Sequence, residues 1–167
     1  YERSIEIYKK SLELDPEYVI AVNNIGNALD HLHRYEESIP YHEKAIELDP
    51  TFHYAWMAKG RALTRLNRPD EGLEYIETSL ELDDEDPDYH EALCRCYMAL
   101  NLFDKARQVV NLGLSLDGQH VPCWMALGDV NFELGNKIQA LQCYDEAVMA
   151  QDLLSRNRMR DLDWIEK

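Results

Sequence analysis

Apolar residues recur along the chain at helical spacing, and the whole pattern repeats every 34 residues. Within residues 53–86, one stripe includes Trp56 and Leu63, and a second includes Leu73 and Ile76. Spacings of three, four and seven residues are typical of one face of an amphipathic helix. Each unit is therefore predicted to contain two helices of about a dozen residues, joined by a short turn.

The ends of the predicted helices repeat in the same phase. Glu-Leu-Asp-Pro occurs at 13–16 and 47–50, and related residues follow at 81–84 and 115–118. Proline cannot continue a helix, so these segments are predicted to end the second helix of each unit. The turn between the two helices of a unit is predicted to use the left-handed conformation, which Asn and Gly tolerate. The residues in this column are His33, Asn67, Asn101 and Gly135.

The repeated residues resemble those of the tetratricopeptide repeat (TPR) family, in which a 34-residue unit forms two helices. The match is clearest in the fourth unit, where Trp124, Leu127 and Gly128 mark the first helix and Ala140 and Tyr144 the second. The resemblance implies an all-α fold, a right-handed α-α superhelix (TPR solenoid) of helix-turn-helix pairs. It also implies a concave groove lined by the first helices.

The period divides the chain into repeats and two flanking segments. Residues 1–16 match only a second helix and are expected to belong to a truncated repeat. Residues 155–167 are expected to form a C-terminal capping helix, and one long continuous helix is the alternative, since neither Pro nor Gly occurs after Gly135. The four complete repeats are predicted at 19–52, 53–86, 87–120 and 121–154.

Several residues depart from the family pattern. Lys59 occupies an apolar column, and Pro40 falls inside a predicted second helix. These departures predict local irregularity within the same fold. At the N-terminus, Ile5, Tyr8 and Leu12 are expected to form an apolar face without a partner in the chain. This face is expected to pack on another chain, which predicts self-association through the first helix, or to be covered by further N-terminal residues of the natural protein.

Charge and composition narrow the range of partners. The net charge is −15, from 32 acidic against 17 basic residues, so nucleic acid and anionic membrane surfaces are disfavoured as partners. No stretch of 18 consecutive apolar residues predicts a membrane span. The four cysteines (Cys94, Cys96, Cys123 and Cys143) lack zinc-site spacing. They are interpreted as small buried residues in a reducing compartment, which predicts a cytoplasmic protein.

The family resemblance also predicts which side chains line the groove. In this family, positions 2, 5, 6, 9, 12 and 13 of each unit usually face the concave side. Several of the residues at these positions have side chains that could contact a bound peptide or protein. The predicted groove residues are Asn23, Asn24, Asn27, Tyr54, Met57, Arg61, Arg65, Glu91, Arg95, Met98 and Met125.

Two groups of these residues indicate what the groove could bind. Arg61 and Arg65 are one helical turn apart, and Arg95 occupies the position of Arg61 one repeat later. Guanidinium groups bind carboxylates in a bidentate manner, so an acidic or C-terminal peptide group could bind here. Alternatively, these arginines pair with acids of the chain such as Glu91 and Asp88. The asparagines could hold a peptide backbone, or could be solvated polar residues on an exposed face.

The sequence therefore predicts a protein-protein interaction scaffold that binds a peptide or partner protein in the concave groove. No Gly-rich phosphate loop, nucleophile elbow or His-Glu-x-x-His motif is present, so neither catalysis nor a cofactor or metal is expected. Two alternatives remain open at this stage. The first is a self-assembly module that uses exposed end helices, and the second is a non-catalytic arm that presents substrates within a larger enzyme.

Overall fold

The computed structural model describes the backbone of residues 1–165 and the side chains of residues 1–156. In this part of the chain, nine α-helices are joined by short turns and no strand occurs. The helices are α1 Glu2–Leu14, α2 Val19–His31, α3 Tyr35–Leu48, α4 His53–Arg65, α5 Pro69–Leu82, α6 Pro87–Ala99, α7 Phe103–Leu116, α8 Val121–Glu133 and α9 Lys137–Ile165.

The helices follow the predicted 34-residue period. The first helices of the four units begin at Val19, His53, Pro87 and Val121, and each is followed by its paired second helix. Every contact between described helices joins consecutive helices or the first helices of adjacent units. In its described part the chain is thus an all-α solenoid of helix-turn-helix pairs, which confirms the predicted fold class.

The turn inside each unit is the left-handed turn predicted from the sequence. Its φ values are 58° at His33, 60° at Asn67, 58° at Asn101 and 79° at Gly135. In the first unit, the N–H of the next residue, Arg34, donates to the Leu29 carbonyl oxygen at 2.9 Å, and the other three units repeat this bond. This six-to-one bond is typical of a Schellman motif and satisfies a carbonyl at the end of the first helix.

An aspartate ends the second helix and shapes the turn to the next unit. Asp15, Asp49, Asp83 and Asp117 adopt extended backbone conformations immediately after their helices. Each Oδ1 accepts a hydrogen bond from the backbone N–H two residues later, at 2.8–3.1 Å. An Asx turn of this kind satisfies local backbone groups after the helix. It explains why Asp persists at 83 and 117, where Pro is replaced by Asp84 and Gly118.

The core runs along the solenoid through the contacts between adjacent helices. Its best-buried residues include Ile25, Ile76, Val110 and Val130, each 0% exposed. All four cysteines are buried and none forms a disulfide, which confirms their interpretation as core residues. Burial raises the pKa of the Cys94 thiol to about 12, so at neutral pH it is an unreactive thiol.

Lys59 is accommodated in its apolar column because two groups meet its ammonium. Its Nζ lies 2.9 Å from Glu43 Oε1 on α3 and 4.0 Å from the ring centroid of Tyr75 on α5. Burial lowers the pKa of Lys59, but these contacts outweigh burial and the pKa is raised. α3 continues through Pro40, which lies inside the helix, and the local irregularity predicted there stays a prediction.

The expected bare face of α1 is covered, so that prediction was wrong. Ile5 is 7% exposed and packs in a cluster with Ile25 and Leu29 of α2, and Tyr8 and Leu12 border the same cluster. The apolar stripe of a second helix contacts the first helix of the next unit, and α2 supplies that helix here. The predicted self-association therefore loses the surface on which it was based.

The last helix, α9, is continuous from Lys137 to Ile165. Residues 155–165 extend α9 without a break, whereas the side chains from 157 onward and residues 166–167 lie outside the described part of the chain. The capping role predicted for 155–167 therefore stays a prediction. Among the described residues, no helix combines the length and apolar character needed to cross a membrane.

Candidate functional site

The first helices lie side by side and form the concave wall of the solenoid. α2 contacts α4, α4 contacts α6, and α6 contacts α8. Equivalent residues on these helices are 34 positions apart, so Asn27, Arg61 and Arg95 form one row along the groove. The position of a residue within its unit therefore sets its depth in the groove, and the unit to which it belongs sets its place along the groove.

A cavity of about 750 Å3 opens in the N-terminal half of this wall, between α2 and α4. This volume falls within the usual range for small-ligand and peptide side-chain sites. Seven of the predicted groove residues line it: Asn23, Asn24, Asn27, Tyr54, Met57, Arg61 and Arg65. The structure thus brings together the asparagine group and two of the three arginines.

Arg61 and Arg65 are exposed and face this cavity. Within the described part of the chain, no carboxylate lies within salt-bridge distance of either guanidinium, although the chain is rich in acids. Arg61 is close enough to Asp88 to act through its charge. The hydrogen bond from His120 is the main cause of the lowered pKa of Asp88, and the charge of Arg61 adds to it. Both guanidiniums therefore retain their hydrogen-bonding capacity for a ligand.

Arg95 does not share this arrangement, because acids of the chain neutralise it. Its Nε donates to Glu91 Oε1 at 2.8 Å, and its Nη1 donates to Asp129 Oδ2. Tyr144 completes the network by donating its hydroxyl hydrogen to Asp129 at 2.8 Å. Glu91 is only 7% exposed, so the predicted groove positions Glu91 and Arg95 are engaged within the chain.

The three asparagines differ in what they can offer. Asn23 is buried, and its Oδ1 lies 2.8 Å from Nδ1 of the buried His42. Asn24 and Asn27 are half-buried and are joined by a long 3.5 Å hydrogen bond. The weakly engaged amides of Asn24 and Asn27 are thus the pair available to a peptide backbone.

An acid that was absent from the predicted groove residues borders the same cavity. Asp30 Oδ2 lies 3.1 Å from His42 Nε2, whereas Oδ1 is buried and has no hydrogen-bond partner among the described residues. An unsatisfied buried oxygen is unfavourable unless a donor reaches it. Asp30 occupies position 12 of its unit, so the family resemblance already indicated its inward orientation.

Aromatic side chains also line the cavity, and of these Tyr54 was predicted from the sequence whereas Tyr1 and Phe52 were not. Phe52 lies just before α4, and its ring centroid is 5.6 Å from that of Tyr54, which is 44% exposed. On the opposite side, the rings of Tyr1 and His31 stack with centroids 4.4 Å apart. Phe52 follows the Asx turn that ends its unit, outside the six inward positions, so the repeat pattern did not identify it.

The C-terminal half of the groove is more apolar. Met98 packs against the core cluster formed by α6, α7, α8 and α9, so it contributes to stability. Met125 on α8 is 41% exposed, and Phe132 on the same helix is 56% exposed. These two side chains add an apolar surface beyond the neutralised Arg95.

A pH effect follows from the His120–Asp88 pair, whose Nε2 and Oδ1 are 3.1 Å apart. Burial lowers the pKa of His120, but the hydrogen bond and charge of Asp88 outweigh burial, so the pKa lies above its usual 6.5. A raised pKa in the folded state gives stability that is full below pH 6.5 and is lost as the pH rises through the folded pKa. The lowered pKa of Asp88 sets the other limit, because the pair is lost as the carboxylate protonates below pH of about 4.

Asp88→Asn should therefore destabilise the protein at pH 5.5 by less than about 1 kcal/mol, since Asp88 is half-exposed and its charge is screened. At pH 8.5 the difference should be smaller, because His120 is then neutral and its Nε2–H can still donate to the amide oxygen of the asparagine. Urea unfolding at both pH values measures this. Asp104→Asn is the control, as its 82% exposed side chain should give little change at either pH. An equal effect of Asp88→Asn at both pH values would contradict the assignment.

Family models provide an independent comparison with the geometry. Three models, each described as a tetratricopeptide repeat, match residues 19–52, residues 57–121, and residues 1–18 together with 121–152. The chain belongs to the tetratricopeptide repeat family. These TPR matches include both units in which the cavity forms. No curated protein sequence matches the chain.

Solved structures share this fold at low sequence identity. The crystal structure of MamA is 19% identical, with a TM-score of 0.70, covering 91% of this chain and 89% of that one. MamA from Desulfovibrio magneticus RS-1, residues 41 to the end, is 17% identical with a TM-score of 0.72. The match covers 90% of this chain and 85% of that one. The APC/C Cut9–Hcn1 hetero-tetramer has a TM-score of 0.83 at 17% identity, covering 90% of this chain but 29% of that one. At these identities, the similarity shows the TPR fold alone.

Proposed function

We propose that this TPR domain binds an extended peptide segment of a partner protein in the N-terminal half of its groove. The observation that carries the proposal is the cavity between α2 and α4, where two guanidiniums without a carboxylate partner among the described residues lie beside the amides of Asn24 and Asn27. Amides can bond both the N–H and the C=O of a peptide backbone. The guanidiniums select a carboxylate, from an acidic side chain or a C-terminus.

The negative charge of the whole chain restricts the binding of acidic groups to this cavity. With a net charge of −15, the protein repels acidic segments at most of its surface. An acidic group is therefore attracted only where local positive charge exceeds the background, as it does at Arg61 and Arg65. The same background disfavours nucleic acid as a partner. The function proposed for the groove is recognition, without a catalytic step or a cofactor.

The proposal is tested with matched peptides, selected from a displayed library and synthesised with a free or an amidated C-terminus. Arg61→Glu combined with Arg65→Glu should weaken binding of the acidic peptides by at least about tenfold, because charge-assisted hydrogen bonds contribute about 1.5–3 kcal/mol each. Fluorescence anisotropy measures the dissociation constants. If the carboxylate is C-terminal, amidation should cause a similar loss. If it is a side chain, amidation should have no effect.

The control for net charge is the double variant Arg68→Glu and Arg107→Glu. Both arginines are exposed, lie on second helices or their ends outside the cavity, and form ion pairs with near neighbours in sequence. This variant changes the net charge by the same amount and should bind the peptides almost as the wild type does. Unchanged peptide binding by the Arg61/Arg65 variant would refute the proposed site.

A further inference from the structure

A chain of polar side chains crosses the interface between α2 and α3 beside the cavity. Asn23 Oδ1 lies 2.8 Å from His42 Nδ1, and His42 Nε2 lies 3.1 Å from Asp30 Oδ2. His42 is 0% exposed and Asn23 is 3% exposed, whereas the Asp30 side chain is 22% exposed and lines the cavity. The two buried residues therefore hold a carboxylate at the cavity wall.

The other units fill these positions without such a polar chain. At the position of His42, the second and third units have Ile76 and Val110, which are core residues with 0% exposure. At the position of Asp30, the third unit has Met98. Apolar packing thus suffices for the repeat, and buried polar groups are unfavourable by comparison. A polar chain at positions where the fold does not need one is typical of a functional site.

The Asp30 carboxylate has hydrogen-bonding capacity that no described residue uses. An ionised carboxylate can accept about four hydrogen bonds. The described contact with His42 accounts for one, and Oδ1 is buried without a hydrogen-bond partner. No described ion pair joins Asp30 to Arg61 or Arg65, although all three line the cavity. A cationic donor on a ligand would supply hydrogen bonds that the chain itself does not.

Asp30 and the two arginines lie on opposite sides of the cavity at a similar depth. Asp30 occupies position 12 of its unit, between the positions 9 and 13 that Arg61 and Arg65 occupy in theirs. The axes of packed helices are about 8–10 Å apart, so a segment between α2 and α4 meets negative charge on one side and positive charge on the other. Neighbouring residues of an extended segment point in opposite directions. An acidic residue that faces α4 therefore directs the residue next to it towards α2.

We infer that Asp30 binds a lysine or arginine of the partner segment, and that this basic residue is immediately next to the acidic residue. The inference rests on the function proposed for the groove and specifies its ligand. The acidic residue binds Arg61 and Arg65, and the basic residue binds the carboxylate that His42 orients. Such a pair of residues is neutral as a whole, so the net charge of −15 does not repel it.

The first test selects ligands for the complete 167-residue chain from a displayed library of random peptide segments. Selection on the wild type should enrich a lysine or arginine directly before or after an acidic residue. Asp30→Asn should remove this preference, because asparagine can still bond His42 but carries no charge. Asp104→Asn makes the same change of net charge at an 82% exposed position on α7 and should retain the preference.

The second test measures the affinities of selected peptides by fluorescence anisotropy. The peptides are synthesised with an acetylated N-terminus, which removes the terminal amine as a competing cation. Asp30→Asn should weaken their binding by at least about tenfold, as should a glycine inserted between the basic and the acidic residue. A peptide whose basic residue is replaced by norleucine should bind the wild type and Asp30→Asn alike, a result that a purely structural role of Asp30 would not give. Circular dichroism verifies that each variant remains folded.

Two outcomes would overturn the inference. One is equal binding of the basic peptides to the wild type and to Asp30→Asn, and the other is enrichment of acidic residues without a neighbouring basic residue. If Arg61→Glu with Arg65→Glu still weakens binding in these cases, the function proposed for the groove stands and only this inference fails. If the arginine variant has no effect, the groove proposal fails and this inference fails with it, so the two failures are distinguishable.

Discussion

Ile76→Ala is expected to lower the free energy of unfolding by about 2–5 kcal/mol, the largest loss among the substitutions considered. Ile76 is 0% exposed and belongs to the cluster that includes Met57 of α4 and Tyr89 of α6. Truncation removes the methyl groups that join three helices and leaves a cavity that rigid helix backbones cannot fill. Thermal unfolding followed by circular dichroism should show a midpoint lower by roughly 4–20 °C.

Ile7→Ala is the matched control for this prediction. Ile7 is 55% exposed on α1, so the same truncation removes little buried surface and should change stability by less than about 0.5 kcal/mol. Equal effects of the two substitutions would mean that the α4–α5–α6 junction is not packed as described. A broadened transition in Ile76→Ala would indicate that the two halves of the solenoid unfold separately.

Gly72→Ala is expected to lower the free energy of unfolding by about 1–2 kcal/mol, even though alanine has a higher helix propensity than glycine. A Cβ at position 72 would lie 2.6 Å from the Gly60 carbonyl oxygen and 2.7 Å from Thr64 Oγ1. Overpacking of this kind costs about 1–3 kcal/mol, and the helix propensity of alanine returns up to about 1 kcal/mol. Because the nearest atom belongs to the α4 backbone, α4 and α5 must move apart. Urea unfolding measures the loss.

Gly118→Ala provides the comparison, because a Cβ there meets only the Leu114 carbonyl oxygen at an ordinary 3.8 Å. It should leave the free energy of unfolding nearly unchanged. If Gly72→Ala proved as stable as the wild type, the two helices would have to cross at a greater distance than described. The prediction thus tests the close approach of α4 and α5 at Gly60 and Gly72.

The regular part of the fold was predictable because it depends on local signals. The 34-residue period located the first helices, and the left-handed residues His33, Asn67, Asn101 and Gly135 were identified from their tolerance of positive φ. Helix capping and apolar spacing depend on residues only a few positions apart, so a single sequence is enough to identify them. The covered face of α1 was mispredicted because its apolar stripe was assigned to a first helix of the same unit, whereas it packs on α2.

The site was only partly predictable, because pairing among charges depends on side-chain directions. The period predicted that Arg61 and Arg95 lie in one row, but it did not predict that only Arg95 is paired with acids of the chain. Arg95 has Glu91 one turn before it and Asp129 one unit later, and both engage it. The inward residues flanking Arg61 in its row are Asn27 and Arg95, and neither carries a negative charge that could pair with its guanidinium. Asp30 and Phe52 gained importance only when the cavity between α2 and α4 was located.

The contact pattern of the solenoid also bears on how the chain acquires its structure. Since described helices touch only consecutive helices or the first helices of adjacent units, no contact between helices joins residues far apart in sequence. Few long loops need to close before favourable contacts form, so the entropic barrier to folding is low and folding is expected to be fast. Any unit can serve as the nucleus, and order then spreads to its neighbours one interface at a time.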